Sequence, residues 1–382
     1  MLDYKSVKIN IPFFDAVVQY LAQKEEIDVA IQKVLCKGVF INGLEVTEFS
    51  SRLASYLNVN DVVPCGNGTD ALYLALLALN LEKGDEVIIP TFNFIAVAEV
   101  VALLGLIPVF VDSQDNDFNI DPSKIEGSIS PKTKAIVVVH LFGAVADMER
   151  INLIAKKHKL FVVEDVAQSL GSEYKGQKAG TIGHIGCTSF FPTKNLACFG
   201  DGGAIFTNDK RLAKKIKMLT NHGQINKYEH QLIGVNSRLD TLQAAILNVQ
   251  MVHLEKNIAK RRAIAKKYTD ELGEIDSIKL PYEAINTLHS YNQYCVLLPD
   301  KAVRDGVKEN LRQNGIGSMV YYPKPNHLQA AYAMYGYTSG DFPIAEKLCN
   351  RILALPIFPT LLAQQQDYII KNIKDFFARY GY

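Results

Sequence analysis

Lys194 sits in the run Thr188-Ser-Phe-Phe-Pro-Thr-Lys-Asn-Leu196, hemmed in by Phe190, Phe191, Pro192 and Leu196. Apolar neighbours disfavour the charged form of an amine, and the free base is what a Schiff-base nucleophile needs. Taken alone it is one surface lysine among many. Ser189, upstream in the same run, offers a hydroxyl for a phosphate. The segment Phe161-Val-Val-Glu-Asp-Val-Ala-Gln168 reads as a strand ending in acids. Ligands of open α/β sheets bind at the carboxyl ends of strands, so Asp165 is placed to pair with a protonated ring nitrogen, with Gln168 close behind. The bland alternative is that Glu164 and Asp165 are ordinary loop acids.

Cys65-Gly-Asn-Gly-Thr-Asp70 precedes a helical pattern. Gly66 and Gly68 permit tight turns, the free N–H groups of a helix start hold anions, and Thr69 adds a hydroxyl. A plain capped helix start is the simpler reading of that segment alone. Gly234-Val-Asn-Ser-Arg-Leu-Asp240 sets Asn236 and Arg238 two positions apart, on one face if extended. They suit an anionic ligand across a subunit interface; otherwise the segment is a helix start capped by Asp240.

A phosphate cradle, a strand-end acid, a hemmed-in lysine and an Asn/Arg pair form the set that pyridoxal 5'-phosphate requires, and Phe92 and Phe94 are placed to cover its ring. The cradle lacks the third glycine and the acid of a dinucleotide fingerprint, and it is no Walker loop.

The elements that must position these residues alternate. Thr69–Leu79, Asn93–Leu104 and Met148–His158 read as helices. Glu86–Pro90, Ile107–Asp112, Ala135–His140, Phe161–Asp165, Thr188–Phe191 and Gly203–Phe206 read as strands. Near-continuous Val/Ile strands between helices imply an α/β fold with a mostly parallel sheet buried on both faces. A long helix from Thr241 to about Leu272 follows, its Lys260-Arg-Arg262 run reading as a solvated face. Beyond it lie a strand at Tyr294–Leu298 and helices at Val303–Gln313, Phe342–Ile352 and Gln364–Phe377. The expected division is a large cofactor domain over 1–250, with the N-terminal segment, and a smaller α+β domain over 251–382.

The 382 residues carry 41 Lys+Arg against 40 Asp+Glu, a net charge of +1. Such a balance provides no broad basic field for nucleic acid or an anionic membrane. The longest uncharged apolar run, Val100–Val111, is too short to span a bilayer. The opening Met1-Leu-Asp-Tyr-Lys5 has no secretory pattern, so the expected compartment is the cytoplasm. The six cysteines are too widely spaced for a redox pair or a metal knuckle and read as buried thiols; no metal is expected.

Four strings, GNGTDAL, EDVAQSLGS, SFFPTKNL with GDGG, and GVNSRLDTLQAAIL, stand in that order between Gly66 and Leu247, within a similarity that runs from Phe40 to Pro359. They resemble the DegT/DnrJ-type sugar aminotransferase family, of the aspartate aminotransferase fold (fold type I). The resemblance implies that Lys194 carries the cofactor and shuttles protons. It makes Asp165 the partner of the ring nitrogen, Gln168 the neighbour of the ring hydroxyl and Phe94 the stacking aromatic. Gly68, Thr69 and Ser189 become phosphate ligands, and Asn236 a phosphate ligand lent by the partner subunit. Arg238, Tyr322 and His327 fall where the family contacts a sugar nucleotide. The chain departs at Tyr321, where many relatives have histidine. Dehydrating members carry histidine where Lys194 stands, which puts this chain on the transaminating side. The implied activity is ping-pong transfer from L-glutamate to a keto sugar nucleotide in a homodimer. C3 of a UDP-2-acetamido-3-oxo-glucuronate or dTDP-3-keto-6-deoxyhexose is favoured; a C4-keto substrate, a dehydratase and a non-catalytic regulator are the alternatives.

Overall fold

The computed structural model describes residues 10–380; the opening Met1–Lys5 run lies outside them. The main sheet has seven strands: β1 (Asp61–Cys65), β2 (Glu86–Pro90), β3 (Ile107–Val111), β4 (Thr133–Val139), β5 (Phe161–Asp165), β6 (Ile185–Ser189) and β7 (Gly203–Thr207). Their spatial order is β1-β7-β6-β5-β4-β2-β3. The β3, β2, β4, β5 and β6 strands are parallel, and β7 runs antiparallel to both β6 and β1. One edge of the sheet therefore collects the carboxyl ends of β1, β5 and β6 and the amino end of β7. Registers Cys65↔Gly203, Ser189↔Gly203 and Asp165↔Cys187 bring those ends level.

The strands are apolar on both faces because each face is covered. Alternate side chains point to opposite sides. Val87, Ile89, Val137 and Val163 pack with Leu72, Ala75, Val97 and Ile216 of helices Gly68–Ala78, Ala96–Leu103 and Lys210–Leu219. Ile88, Ile136, Val138 and Val162 pack with Leu53, Ile151 and Leu247 on the other side. Helices Lys24–Lys37 and Leu44–Leu57, and the strand β1, lie before the region in which alternation was read.

Helix Thr241–Leu272 is one continuous element, so position 250 lies inside it. Its first half, with Leu247, Leu254 and Ile258, packs on the main sheet. Its second half, with Ile264, Tyr268 and Leu272, packs with strands Tyr294–Leu297 and Ile352–Leu355 and helix Ala363–Tyr380. Ile11 joins that second core. The strand Ile352–Leu355 begins where the helical reading of 342–352 ends.

Two expectations change. Arg261, in the middle of the supposedly solvated run, is 2% exposed and donates to the carbonyls of Ile357 (2.8 Å), Asn292 (3.3 Å) and Tyr291 (3.4 Å). Burial lowers its pKa to about 10. Helical periodicity puts only part of a cationic run in water. Of the six cysteines, Cys36 is exposed and five are buried.

Candidate active site

The cradle is built where β1 gives way to helix Gly68–Ala78. Asn67 caps that helix, its side-chain oxygen accepting from the Asp70 N–H at 2.8 Å. The Gly68 and Thr69 N–H groups, on the first two helical residues, have no hydrogen-bond partner among the described residues. The positive end of the helix dipole lies at the same place. A Cβ on Gly68 would come within 2.6 Å of the Ser189 Cβ, and one on Gly203 within 2.3 Å of the Asn67 carbonyl oxygen. Two glycines thus let the loop close against the end of β6 and bring Gly68, Thr69 and Ser189 together. Open amides, two hydroxyls and a helix terminus suit a phosphate, so these residues fit that end of pyridoxal phosphate.

Asp165 ends β5 and Lys194 lies on the turn that follows β6. Burial pushes the Lys194 ammonium below its ordinary value of 10.5, and the nearby Asp165 carboxylate partly restores it. Burial pushes the Asp165 carboxyl above 3.8, while the Ala167 N–H (2.9 Å) and the charge of Lys194 draw it back. The lysine turn is anchored from the second core. The Asn292 amide donates to the Thr193 carbonyl (3.1 Å) and the Asn195 side-chain oxygen (3.2 Å). The carbonyl of Asn292 is in turn held by buried Arg261.

Gln168 is fixed at both ends of its amide. It accepts from the Phe142 N–H at 2.9 Å and donates to the Tyr322 hydroxyl at 2.9 Å. Burial raises the Tyr322 phenol, which remains neutral. The two candidate ring covers part company. Phe92 is 1% exposed, packed edge-on to Phe142 and Tyr322, whereas Phe94 is 57% exposed with its centroid 6.2 Å from Tyr322. Only Phe94 has a face open to a ligand.

Glu164 was legible only as a strand-end acid, yet it is fully buried. One oxygen accepts from His140 Nε2 and the Gly180 N–H, both at 2.8 Å, and the other from the Ile182 N–H at 2.7 Å and from the Gly183 N–H. His140 Nδ1 accepts from the Ala146 N–H at 3.1 Å, so its proton sits on Nε2. Strand alternation, which points Glu164 away from Asp165 and into the apolar face, was the signal for this role.

The remaining candidates are dispersed. Asn236 is exposed and pairs through its backbone with Asn221. Arg238 donates from Nη1 to the Asn221 side-chain oxygen at 2.8 Å, and its Nε is buried without a partner among the described residues. Asp240 precedes helix Thr241–Leu272 but makes no side-chain cap. His327 is 1% exposed, with Nδ1 2.7 Å from the Thr91 hydroxyl and Nε2 3.2 Å from Glu346. Both of its ring nitrogens are engaged within the chain.

Residues 21–374 match the DegT/DnrJ/EryC1/StrS aminotransferase family. A protein of Geobacillus stearothermophilus described as a pleiotropic regulatory protein is 43% identical over 98% of this chain and 100% of its own. The UDP-2-acetamido-2-deoxy-3-oxo-D-glucuronate aminotransferase of Pseudomonas aeruginosa is also 43% identical, over 92% of this chain and 96% of its own. The crystal structure of Streptomyces venezuelae DesV, in complex with a ketimine intermediate, superposes with a TM-score of 0.94 at 37% identity. That match covers 96% of this chain and 98% of DesV. With family, fold and cradle in agreement, the chain belongs to the DegT/DnrJ/EryC1/StrS aminotransferase family, whose cofactor is pyridoxal 5'-phosphate.

Proposed function

We propose that the protein transfers an amino group from L-glutamate to C3 of a nucleotide-linked keto sugar, as a homodimer with shared active sites. The observation that carries the transamination is a desolvated lysine, Lys194, within electrostatic reach of a desolvated acid, Asp165, beside the Gly68–Ser189 cradle. The choice of C3 follows the 3-oxo substrate in the name of the Pseudomonas relative. Exposed Tyr228 (83%) and Ile233 (95%) lie on the projection that leads to Asn236, a surface suited to a second copy of the chain. A regulatory role alone, suggested by the name of the Geobacillus relative, requires neither Lys194 nor Asp165.

Each residue then has a task. Pyridoxal phosphate, held through its aldehyde, supplies an electron sink for the pair released when the substrate Cα–H bond breaks. Lys194 Nζ, its charged form disfavoured by burial, takes that proton and returns it on the far side of the transfer. The Asp165 carboxylate, poorly hydrated, holds a proton firmly at the ring nitrogen. Gln168 stands at the ring hydroxyl, oriented by Phe142 and Tyr322. The exposed ring of Phe94 covers one face and excludes water. Gly68, Thr69, Ser189 and the partner-lent Asn236 bind the phosphate. Arg238 and Tyr322 face the sugar nucleotide, and His327 steadies the segment after Tyr322 through Thr91 and Glu346.

The test is to incubate the protein with L-glutamate and a panel of 3-keto and 4-keto sugar nucleotides, following 2-oxoglutarate and the amino sugar. Stoichiometric formation of both with a 3-keto substrate is expected. Turnover of 4-keto sugars alone overturns the C3 reading; no 2-oxoglutarate with any substrate overturns the transfer itself.

A further inference from the structure

One pair of side chains joins two parts of the site that serve different subunits. The Gly66 N–H donates to Ser237 Oγ at 2.9 Å, and the Ser237 hydroxyl donates to Asp70 Oδ2 at 2.6 Å. Ser237 is 2% exposed, so its single proton is committed to that carboxylate. A bond from hydroxyl to carboxylate is charge-assisted and stronger than a neutral one. The packing leaves little slack: a Cβ on Gly66 would lie 3.1 Å from Asp70 Oδ2 and 3.3 Å from Ser237 Oγ.

Asp70 belongs to the first turn of helix Gly68–Ala78, beside Thr69 and under the Asn67 cap. It moves with the phosphate cradle. Ser237 sits between Asn236 and Arg238, and its own N–H donates to the Thr220 carbonyl at 2.9 Å. It moves with the segment whose Asn236 is exposed and whose Arg238 Nε has no partner among the described residues. Both features suit a segment completed by something outside its own subunit.

We propose that the Asp70–Ser237 pair is a positioning device that couples the two active sites of the dimer. A shift in one subunit's cradle is passed to the Asn236–Arg238 segment that the same subunit lends to its partner. This rests on the shared-site reading above. Because coupling is reciprocal, occupation of one cradle changes cofactor affinity at the other.

Mixed dimers of differently tagged chains test the device. One chain is wild type and its partner carries Lys194→Ala, so only the wild-type site shows the visible band of lysine-held cofactor. The cofactor dissociation constant of that site is read by titration. Adding Asn236→Ala to the Lys194→Ala chain is expected to weaken binding at the wild-type site about tenfold, the loss of one strong phosphate contact. Adding Ser237→Ala instead is expected to weaken it about fivefold or more, although the wild-type chain keeps its own Asp70 and Ser237. Asp70→Asn made instead, with Ser237 kept so that the amide oxygen still accepts from its hydroxyl, is expected to weaken binding much less. Should the Ser237→Ala chain fail to pair, Asp70→Ala removes the same bond and replaces it. A loss with Asn236→Ala but none with Ser237→Ala or Asp70→Ala overturns the coupling and leaves the shared site standing. No loss with Asn236→Ala overturns both.

Discussion

Gly68 and Ser189 meet across the end of the sheet so closely that a side chain on one has no room beside the other. A methyl at Gly68 would lie 2.6 Å from the Ser189 Cβ and 3.2 Å from its hydroxyl oxygen. Between them runs the start of β7, where Gly203 lets the Asn67–Gly68 backbone pass directly overhead. The cradle is thus a property of three strands and not of a single loop.

Gly68→Ala is therefore expected to push the loop away from Ser189 and weaken cofactor binding about tenfold or more, one such factor being ~1.4 kcal/mol. The check is the dissociation constant from titrating the apoprotein and following the visible band. Unchanged affinity would mean that Ser189 yields without consequence.

Loading of the cofactor onto Lys194 needs the free amine. Its rate is expected to rise with pH and level off at an apparent pKa below 10.5, because burial disfavours the ammonium. Asp165→Asn removes the carboxylate that favours the ammonium, so the level part of the curve should begin at still lower pH. Stopped-flow absorbance across pH for both proteins makes the comparison; a shift to higher pH contradicts the proximity of the pair.

Asp165 also predicts the pH dependence of apoprotein stability. Its folded carboxyl lies above the ordinary 3.8, so the folded state binds more protons than the unfolded one in the window between those two values. Stability is lost as pH rises through that window. Thermal melts of the apoprotein should show this slope in the wild type and a flatter one in Asp165→Asn.

Glu164→Ala leaves His140 Nε2 and three backbone N–H groups without their acceptor in a fully buried setting. An unsatisfied buried donor costs about 1–3 kcal/mol, so the loss should reach several kcal/mol and reduce the yield of folded protein. Glu164→Gln keeps one accepting oxygen and should lose less. Denaturant unfolding of both variants and the wild type provides the ranking.

Most of the sheet was readable from the chain alone because fully covered strands write themselves as apolar runs. Glu86–Pro90 and Phe161–Asp165 have the bounds expected, as do helices Met148–His158 and Thr241–Leu272. The strand β1 was missed because Asp61-Val-Val-Pro-Cys65 is short and interrupted by proline. The strand Ile352–Leu355 was missed because it directly follows a helix with no turn residue between them. Of the candidate site, Lys194, Asp165, Gly68 and Ser189 stand out in the sequence, since each lies in a local string whose chemistry is distinctive. Arg261 and Asn292 were not. Their work is done on the Thr193–Asn195 turn, far away in the chain, and nothing local marks it.

Sequence alone determined the chemistry: a hemmed-in lysine, a strand-end acid and a glycine-opened helix start are local patterns, and local patterns depend on neighbours along the chain. Tertiary structure decided which side chains have room and which are spent. Phe94 keeps an open face while Phe92 is enclosed, His327 has both nitrogens engaged, and Glu164 is a buried hub. Those outcomes follow from packing and hydrogen-bond saturation, which depend on what lies across the fold.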